Sequence, residues 1–442
     1  MKSKWRIGQL LHLAAALGWS GFDGADVGSA QEVAYFRHDH GVAGDAHALP
    51  GDWATEAQLL WKTPVPPGHS TPCVAGDTIY LTTFEEEPQQ LATLALDRAS
   101  GRPRWRQVVP TNRFESIHPT GSLATATPAS DGQRVFVMFG SYGLLCYDRE
   151  GQLLWEHRMG PFQDEFGAAS SPILVDDLVI TSQDHDIGSF VMALDQRTGE
   201  VRWRISRPDA TRSYATPVVL KRERSTEVLV AGSLQLAAYD VATGEKRWWF
   251  DGLSRIVDCT PTLQDGVIYV ATWTPGGDSG ERIDMEPFAE ALTRYDQNGD
   301  GRISRDELPP GSPVLERFFR IDLDQDGRLD DQEWARHALV FERAQNVAVA
   351  LEPGDEGNLP AEHVRWTYNR GLPTVPSSVV YRGVMTMVKD SGIITQLDAD
   401  TGQLLQQLRA PGRGNYYASV VAGDGKLYLT SESGVLTILS AD

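Results

Sequence analysis

The sequence predicts an all-β fold: a seven-bladed β-propeller of four-stranded blades, interrupted in blade five by a small α-helical insertion. Three observations carry that reading. An Asp-x3-Gly-x3-Trp pattern recurs along the chain. A Thr/Ser-Pro or small-residue step recurs roughly every 45 residues, each time ahead of short apolar runs. One interval between steps is far longer than the rest and contains two acidic twelve-residue loops. A fixed period in this range, with turn residues between short alternating segments, is the pattern of stacked or radial β-units.

The pattern residues are Asp97, Gly101 and Trp105, then Asp195, Gly199 and Trp203, then Asp240, Gly244 and Trp248. Asp148, Gly151 and Trp155 form a copy one residue shorter; Asp398 and Gly402 continue it with Gln406 in place of Trp; Leu351, Glu352 and Trp366 are a damaged copy. Asp-x3-Gly suits the hairpin between the last two strands of a unit, since Asp accepts local backbone hydrogen bonds and Gly takes a positive φ. One Trp per unit at a fixed position fits packing between neighbouring units. The steps are Thr71-Pro72, Thr127-Pro128, Ser171-Pro172, Thr216-Pro217, Thr260-Pro261, Ser377-Ser378 and Ala418-Ser419. Seven steps imply seven blades. The last unit has room for three strands before the chain ends, so the stretch Gln58 to Thr63 is expected to supply its outer strand, with Trp61 at the Trp position. A ring closed in this way leaves no open sheet edge.

The steps at Thr260 and Ser377 are 117 residues apart, about 70 more than the period. The excess falls after Trp273 and before Asn346, between the second and third strands of blade five. Within it, Asp296 to Glu307 and Asp322 to Glu333 both match the twelve-residue EF-hand calcium loop. Expected ligands in the first loop are Asp296, Asn298, Asp300, Arg302 (through its carbonyl), Ser304 and Glu307. In the second they are Asp322, Asp324, Asp326, Arg328 (through its carbonyl), Asp330 and Glu333. Calcium takes six to eight oxygens, which alternate acidic side chains and a final bidentate Glu supply, and Gly301 and Gly327 allow the sharp turn. Ile303 and Leu329 are placed to pair across the loops. Phe288, Leu292, Leu315, Phe318, Phe319, Trp334, Leu339 and Phe341 are the expected core of the pair. Two Ca2+ sites follow, the second stronger because it has more acidic ligands.

The chain has 442 residues and a formal net charge of −20. That balance offers no broad basic surface, so no nucleic-acid partner is expected. Lys2, Lys4 and Arg6 precede the apolar run Leu10 to Leu17, and Gly28, Ser29 and Ala30 follow, as in an export signal. No stretch is long and apolar enough for a transmembrane helix. Cys73, Cys146 and Cys259 are far apart and form no metal or redox motif. The expected organisation is a signal peptide over 1–30, a leader over 31–57, a propeller over 58–280 and 346–442, and the EF-hand pair over 281–345. An exported, periplasmic or extracellular monomer is expected.

The stretches "VMALDQRTGEVRW" (Val191 to Trp203) and "AAYDVATGEKRW" (Ala237 to Trp248) resemble the pyrroloquinoline-quinone-type propeller repeat, and the resemblance covers about 300 residues. It implies the propeller fold strongly and function weakly, because one fold hosts many activities. In this family the repeat serves quinoprotein alcohol or sugar dehydrogenases and also non-enzymatic propellers, including an outer-membrane assembly factor. A dehydrogenase of this kind would hold pyrroloquinoline quinone in the central channel, and Asp258 is then the expected base. The vicinal cysteine pair that often caps the quinone is missing here, as is a haem-attachment CxxCH. The preferred reading is therefore a calcium-binding scaffold with no catalytic residues, recognising a protein or glycan through its loop-bearing face. The residues expected on that face are His69, His118, Phe166, Tyr214, Asp258 and Tyr416, with Glu85, Glu86, Glu87, Asp184, His185, Asp186, Lys389 and Asp390 beside them. Asp184, His185 and Asp186 form a further, weaker metal candidate.

Overall fold

The computed structural model describes residues 34–43, 49, 51, 59–278, 285–412 and 414–441. The expected signal over 1–30 lies outside them. Seven sheets follow one another in chain order, each an antiparallel run of consecutive strands except where the insertion intervenes and where Gly357–Asn358 adds in parallel to the fourth. The first contains Cys73–Ala75, Thr78–Glu86, Gln89–Asp97 and Pro103–Val108. The chain is a β-propeller, and its composition explains the layering. Second and third strands, such as Leu178–Gln183 and Phe190–Asp195, are buried almost throughout because neighbouring sheets cover both faces. Outer strands such as Val201–Ser206 mix exposed charged residues with a buried Trp.

Two sets of hydrogen bonds join the sheets, and both use the repeated residues. The hydroxyl of each step residue accepts the backbone N–H of the step residue before it. Thr71 donates to Thr127 (2.9 Å), Thr127 to Ser171 (2.9 Å), Ser171 to Thr216 (3.1 Å) and Thr216 to Thr260 (3.1 Å). Thr260 donates to Ser377 (2.9 Å) and Ser377 to Ser419 (3.0 Å). The seventh step residue is thus Ser419, one place beyond Ala418. This series satisfies buried amides that no sheet ladder reaches.

The second set lies at the rim. Indole N–H groups of Trp61, Trp105, Trp155, Trp203 and Trp366 donate to backbone carbonyls of Arg98, Arg149, Gln196, Val241 and Ala399, each in the next sheet's last turn. Each indole lies against that turn's glycine. At Gly199, φ is +73° and an added Cβ would stand 2.6 Å from the Trp155 ring, so both backbone and space require glycine. In the same turn the Asp195 carboxylate accepts the Thr198 N–H at 2.9 Å and Arg202 at 2.8 Å.

Trp61 occupies the repeat's Trp position as expected, but the strand around it does not form. Residues 59–63 carry no strand, Gln58 lies outside the described residues, and the last sheet has three strands, Val421–Gly423, Lys426–Thr430 and Leu436–Ser440. Indole and Thr63 hydroxyl contacts to Arg98 and Gly101 anchor this segment to the first sheet instead.

Residues 34–43 cross the inner strands, a feature the sequence does not signal. Ala34 accepts the N–H of Ser130 at 2.7 Å. Arg37 donates to the carbonyls of Val420 (3.2 Å) and Ser378 (2.5 Å), and Val42 bridges Ala422 in parallel. One short segment therefore reaches the innermost strands of the second, sixth and seventh sheets.

The fifth sheet is Thr262–Gln264, Val267–Thr272, Val347–Leu351 and Val364–Tyr368, with the insertion between its second and third strands. The insertion folds as α1 (Phe288–Tyr295), α2 (Pro313–Glu316), α3 (Phe318–Ile321) and α4 (Asp331–Arg343). Its core is Ala291, Ile303, Leu308, Phe318, Ile321, Leu329 and Trp334, with Phe288, Leu292 and Leu315 against it. Two expected core residues are placed elsewhere. Phe319 is 51% exposed and lies under the Arg212 guanidinium, 5.5 Å from its ring centre. Leu339 packs with Val340 and Ala344 on Leu234 of the fourth sheet. Both serve the contact with the propeller, which a pattern of apolar residues within the insertion cannot reveal. The Phe341 side chain lies outside the described residues.

Candidate functional site

Asp296 and Asp322 begin their loops directly after the apolar ends of α1 and α3. Ile303 and Leu329 pair in a two-stranded antiparallel bridge that fixes the loops back to back. Each loop then closes on its own final glutamate through a capping box, Ser304 with Glu307 and Asp330 with Glu333.

The loops differ in burial. In the first, Glu307 accepts the N–H groups of Gln297, Asn298 and Ser304 and the Ser304 hydroxyl, and these bonds hold its carboxyl down at about 2. In the second, Glu333 accepts from Leu323, Asp324 and Asp330, yet burial pushes it up to about 7. Asp322 is also raised, first by burial and then by the Asp324 and Asp326 charges. Carboxylate oxygens of Asp322, Asp324 and Glu333 lie within 4.8 Å of one another. The Oδ1 of Asp322 is buried without a hydrogen-bond partner, an arrangement that costs free energy unless a cation or donor fills it. Position seven of each loop reaches across to position five of the other: Arg302 pairs with Asp326, and Arg328 with Asp300 at 3.1 Å.

A second polar centre gathers on loops of the third and fourth sheets. Asp164 accepts the Tyr214 hydroxyl at 2.7 Å and lies 3.2 Å from His185 Nδ1. Phe162 stacks on the His185 ring at 3.9 Å, and His185 Nε2 is buried with no partner. Asp258 is pushed up to about 7, by burial first and the Asp164 charge second. The weaker metal candidate does not assemble. Asp184 is held by Arg207 through two bonds of 2.8 and 2.9 Å, and Asp186 by Arg212, so both carboxylates are already neutralised. Of the other expected face residues, Glu85 pairs with Arg106, Lys389 lies 5.2 Å over the Trp273 ring, and Tyr416 is buried beside Asp390. His69 is lowered by burial, while Glu86, Glu87 and His118 are exposed.

Sequence reasoning misses Gln163 and Asp164. They sit in the loop Pro161–Phe166 just ahead of the Ser171 step, where two adjacent acids and a glutamine were the available signal. Gln163 connects the two centres, since its amide donates to the Leu323 carbonyl in the second acidic loop and lies 3.4 Å from Asp186. Arg336 of α4 donates to the Pro208 carbonyl. The helical insertion thus sits on the loop-bearing face, against the third and fourth sheets.

Radial four-stranded units joined by step hydroxyls and rim indoles define a repeat β-propeller of the pyrroloquinoline-quinone-like type. The family model described as outer membrane protein assembly factor BamB matches residues 54–277 and 191–442, and the chain belongs to this family. The serine/threonine-protein kinase AfsK of Streptomyces griseus is 26% identical over 233 residues, covering 46% of this chain and 27% of the kinase. The chain thus spans about a quarter of that relative's length. Among solved structures, BamB from Moraxella catarrhalis is 15% identical with a TM-score of 0.49, covering 82% of this chain and 79% of that one. The quinohemoprotein alcohol dehydrogenase ADHIIG from Pseudomonas putida HK5 is 14% identical with a TM-score of 0.40, covering 82% and 69%.

Proposed function

We propose that the chain is an exported, calcium-binding propeller that acts as an interaction scaffold for a protein or glycan on its loop-bearing face. The carrying observation is the second acidic loop, where three carboxylates converge and a buried Asp322 oxygen has no partner. A hard dication with oxygen ligands satisfies that arrangement, and the first loop offers a more exposed second site. Leu323, inside the second loop, bonds Gln163 of the propeller, so an ion there fixes how the insertion sits on the face. Membership in a family described by an outer-membrane assembly factor supports a role in protein interaction.

Calorimetric titration of chelator-stripped protein with calcium tests this. Two sites are expected, and Asp322→Ala should weaken total affinity more than Asp296→Ala does. No calcium heat, or the reverse order, overturns the reading.

Asp258 favours a second reading, a quinoprotein dehydrogenase with this carboxyl as base. Its position near neutrality, beside the Asp164–His185–Tyr214 group, suits proton abstraction. Saturable binding of pyrroloquinoline quinone, lost in Asp258→Asn, would put this reading first.

A further inference from the structure

A cavity lies between the insertion and the propeller, lined by Arg212, Arg255, Arg320, Arg336, His337 and Glu333, with apolar walls from Ile256, Ile321 and Val340. It measures about 20 Å³, counted as room for the centre of a water-sized sphere. One water needs roughly 10–15 Å³ on that measure, so a small polyatomic group has space.

Its charge is opposite to that of the molecule. In a chain of net charge −20, four guanidiniums converge here on one lining carboxylate. Arg212 is already paired with Asp186 and Glu165, and Arg336 donates to the Pro208 carbonyl. Arg255 and Arg320 differ, because neither guanidinium makes a hydrogen bond or ion pair with any described residue. Burial, then the Arg320 and Arg212 charges, lower Arg255 to about 10, against an opposing pull from Glu165. Arg255 is partly buried and Arg320 exposed, so both guanidiniums are open to an incoming anion.

We propose that this cavity is a binding site for a small oxyanion, either a phosphate-type group or a carboxylate, held by Arg255 and Arg320 with Arg336 at its edge. Planar guanidiniums match both oxyanion classes through paired N–H donors. The site is built from both parts of the chain, Arg255 from the propeller and Arg320 from α3, so an occupant would bridge the insertion to the face. It adjoins the second acidic loop, whose Glu333 and Leu323 form part of its wall.

The test is calorimetric titration of the full chain at low ionic strength with inorganic sulfate, and separately with acetate. Sulfate mimics a tetrahedral phosphate-type group and acetate a carboxylate. Saturable binding of either at one site per chain is expected, and the tighter of the two identifies the class. Arg255→Gln should weaken that binding at least tenfold. Arg320→Gln, at an exposed position that leaves the propeller core untouched, should weaken it several-fold, while Arg113→Gln on a distant exposed loop should not. Absence of saturable binding by both anions, or binding that both cavity variants leave unchanged, overturns the proposal.

Discussion

The indole N–H of Trp248 donates to the Glu227 carboxylate at 3.0 Å inside its own sheet, whereas the indoles of Trp61, Trp105, Trp155, Trp203 and Trp366 reach forward to a carbonyl of the next. The cause is the fifth sheet's missing Asp-x3-Gly turn. In its place the chain loops out, and Gly357–Asn358 pairs in parallel with the outer strand Lys246–Asp251. With no turn carbonyl ahead, the buried Trp248 ring takes a side-chain acceptor, which Arg222 also approaches at 3.6 Å.

Trp248→Phe should therefore cost more than Trp203→Phe, whose partner is a backbone carbonyl. The former strips a donor from a buried carboxylate, a difference of about 1–3 kcal/mol. Urea unfolding midpoints check this. Adding Glu227→Leu to Trp248→Phe should recover part of the loss, and no recovery would count against the carboxylate as the cause.

Ser377→Ala should destabilise the closure across the insertion. The Thr260 N–H, buried and 117 residues away in sequence, would lose its only acceptor among the described residues. A cost of about 1–3 kcal/mol is expected for a stranded buried donor, and Ser377→Thr should retain most of the stability because the hydroxyl remains. Equal losses in both variants would point to packing instead.

These two sites show which parts of the molecule were legible in the sequence. A hydroxyl step and a Trp recur because every sheet faces the same two joining problems, and recurrence makes them visible at Thr127, Ser171, Trp155 or Trp203. The acidic loops were legible for a similar reason, since two twelve-residue turns that each close on their own final glutamate place the same residue types at fixed spacing. Other features arise once and follow no period. Asp164 and Gln163 gain meaning only when their loop meets His185 and Leu323. Residues 34–43 cross inner strands through backbone bonds and Arg37, which no apolar pattern announces. Arg302 reads as a tolerated position-seven residue until the Ile303–Leu329 bridge brings it to Asp326.

That last contact bears on calcium affinity. Asp326 is an expected ligand of the second loop, and Arg302 competes for it. Arg302→Gln should release the carboxylate and raise affinity at the second loop several-fold, since an exposed pair contributes about 0–1 kcal/mol to be overcome. Calcium titration by calorimetry is the check. Weaker binding would show instead that Arg302 positions the loop.

Asp258 gives the protein a pH dependence of unusual sign. Its carboxyl lies near 7 when folded, against an ordinary value of 3.8. Between those values the folded state holds the proton and the unfolded state does not, so stability from this group falls as pH rises from about 4 to 7. Below the unfolded value the penalty vanishes; above 7 it is complete, on the order of 4 kcal/mol. Arg255 opposes the shift, while Asp164 and burial drive it. Asp258→Asn removes the titration and should raise the unfolding midpoint at pH 8 while changing little at pH 4. The difference between variant and parent should grow with pH across that window. A difference that is flat with pH would place the Asp258 carboxylate in contact with a compensating charge when folded, and would remove the case for this group as a base poised near neutrality.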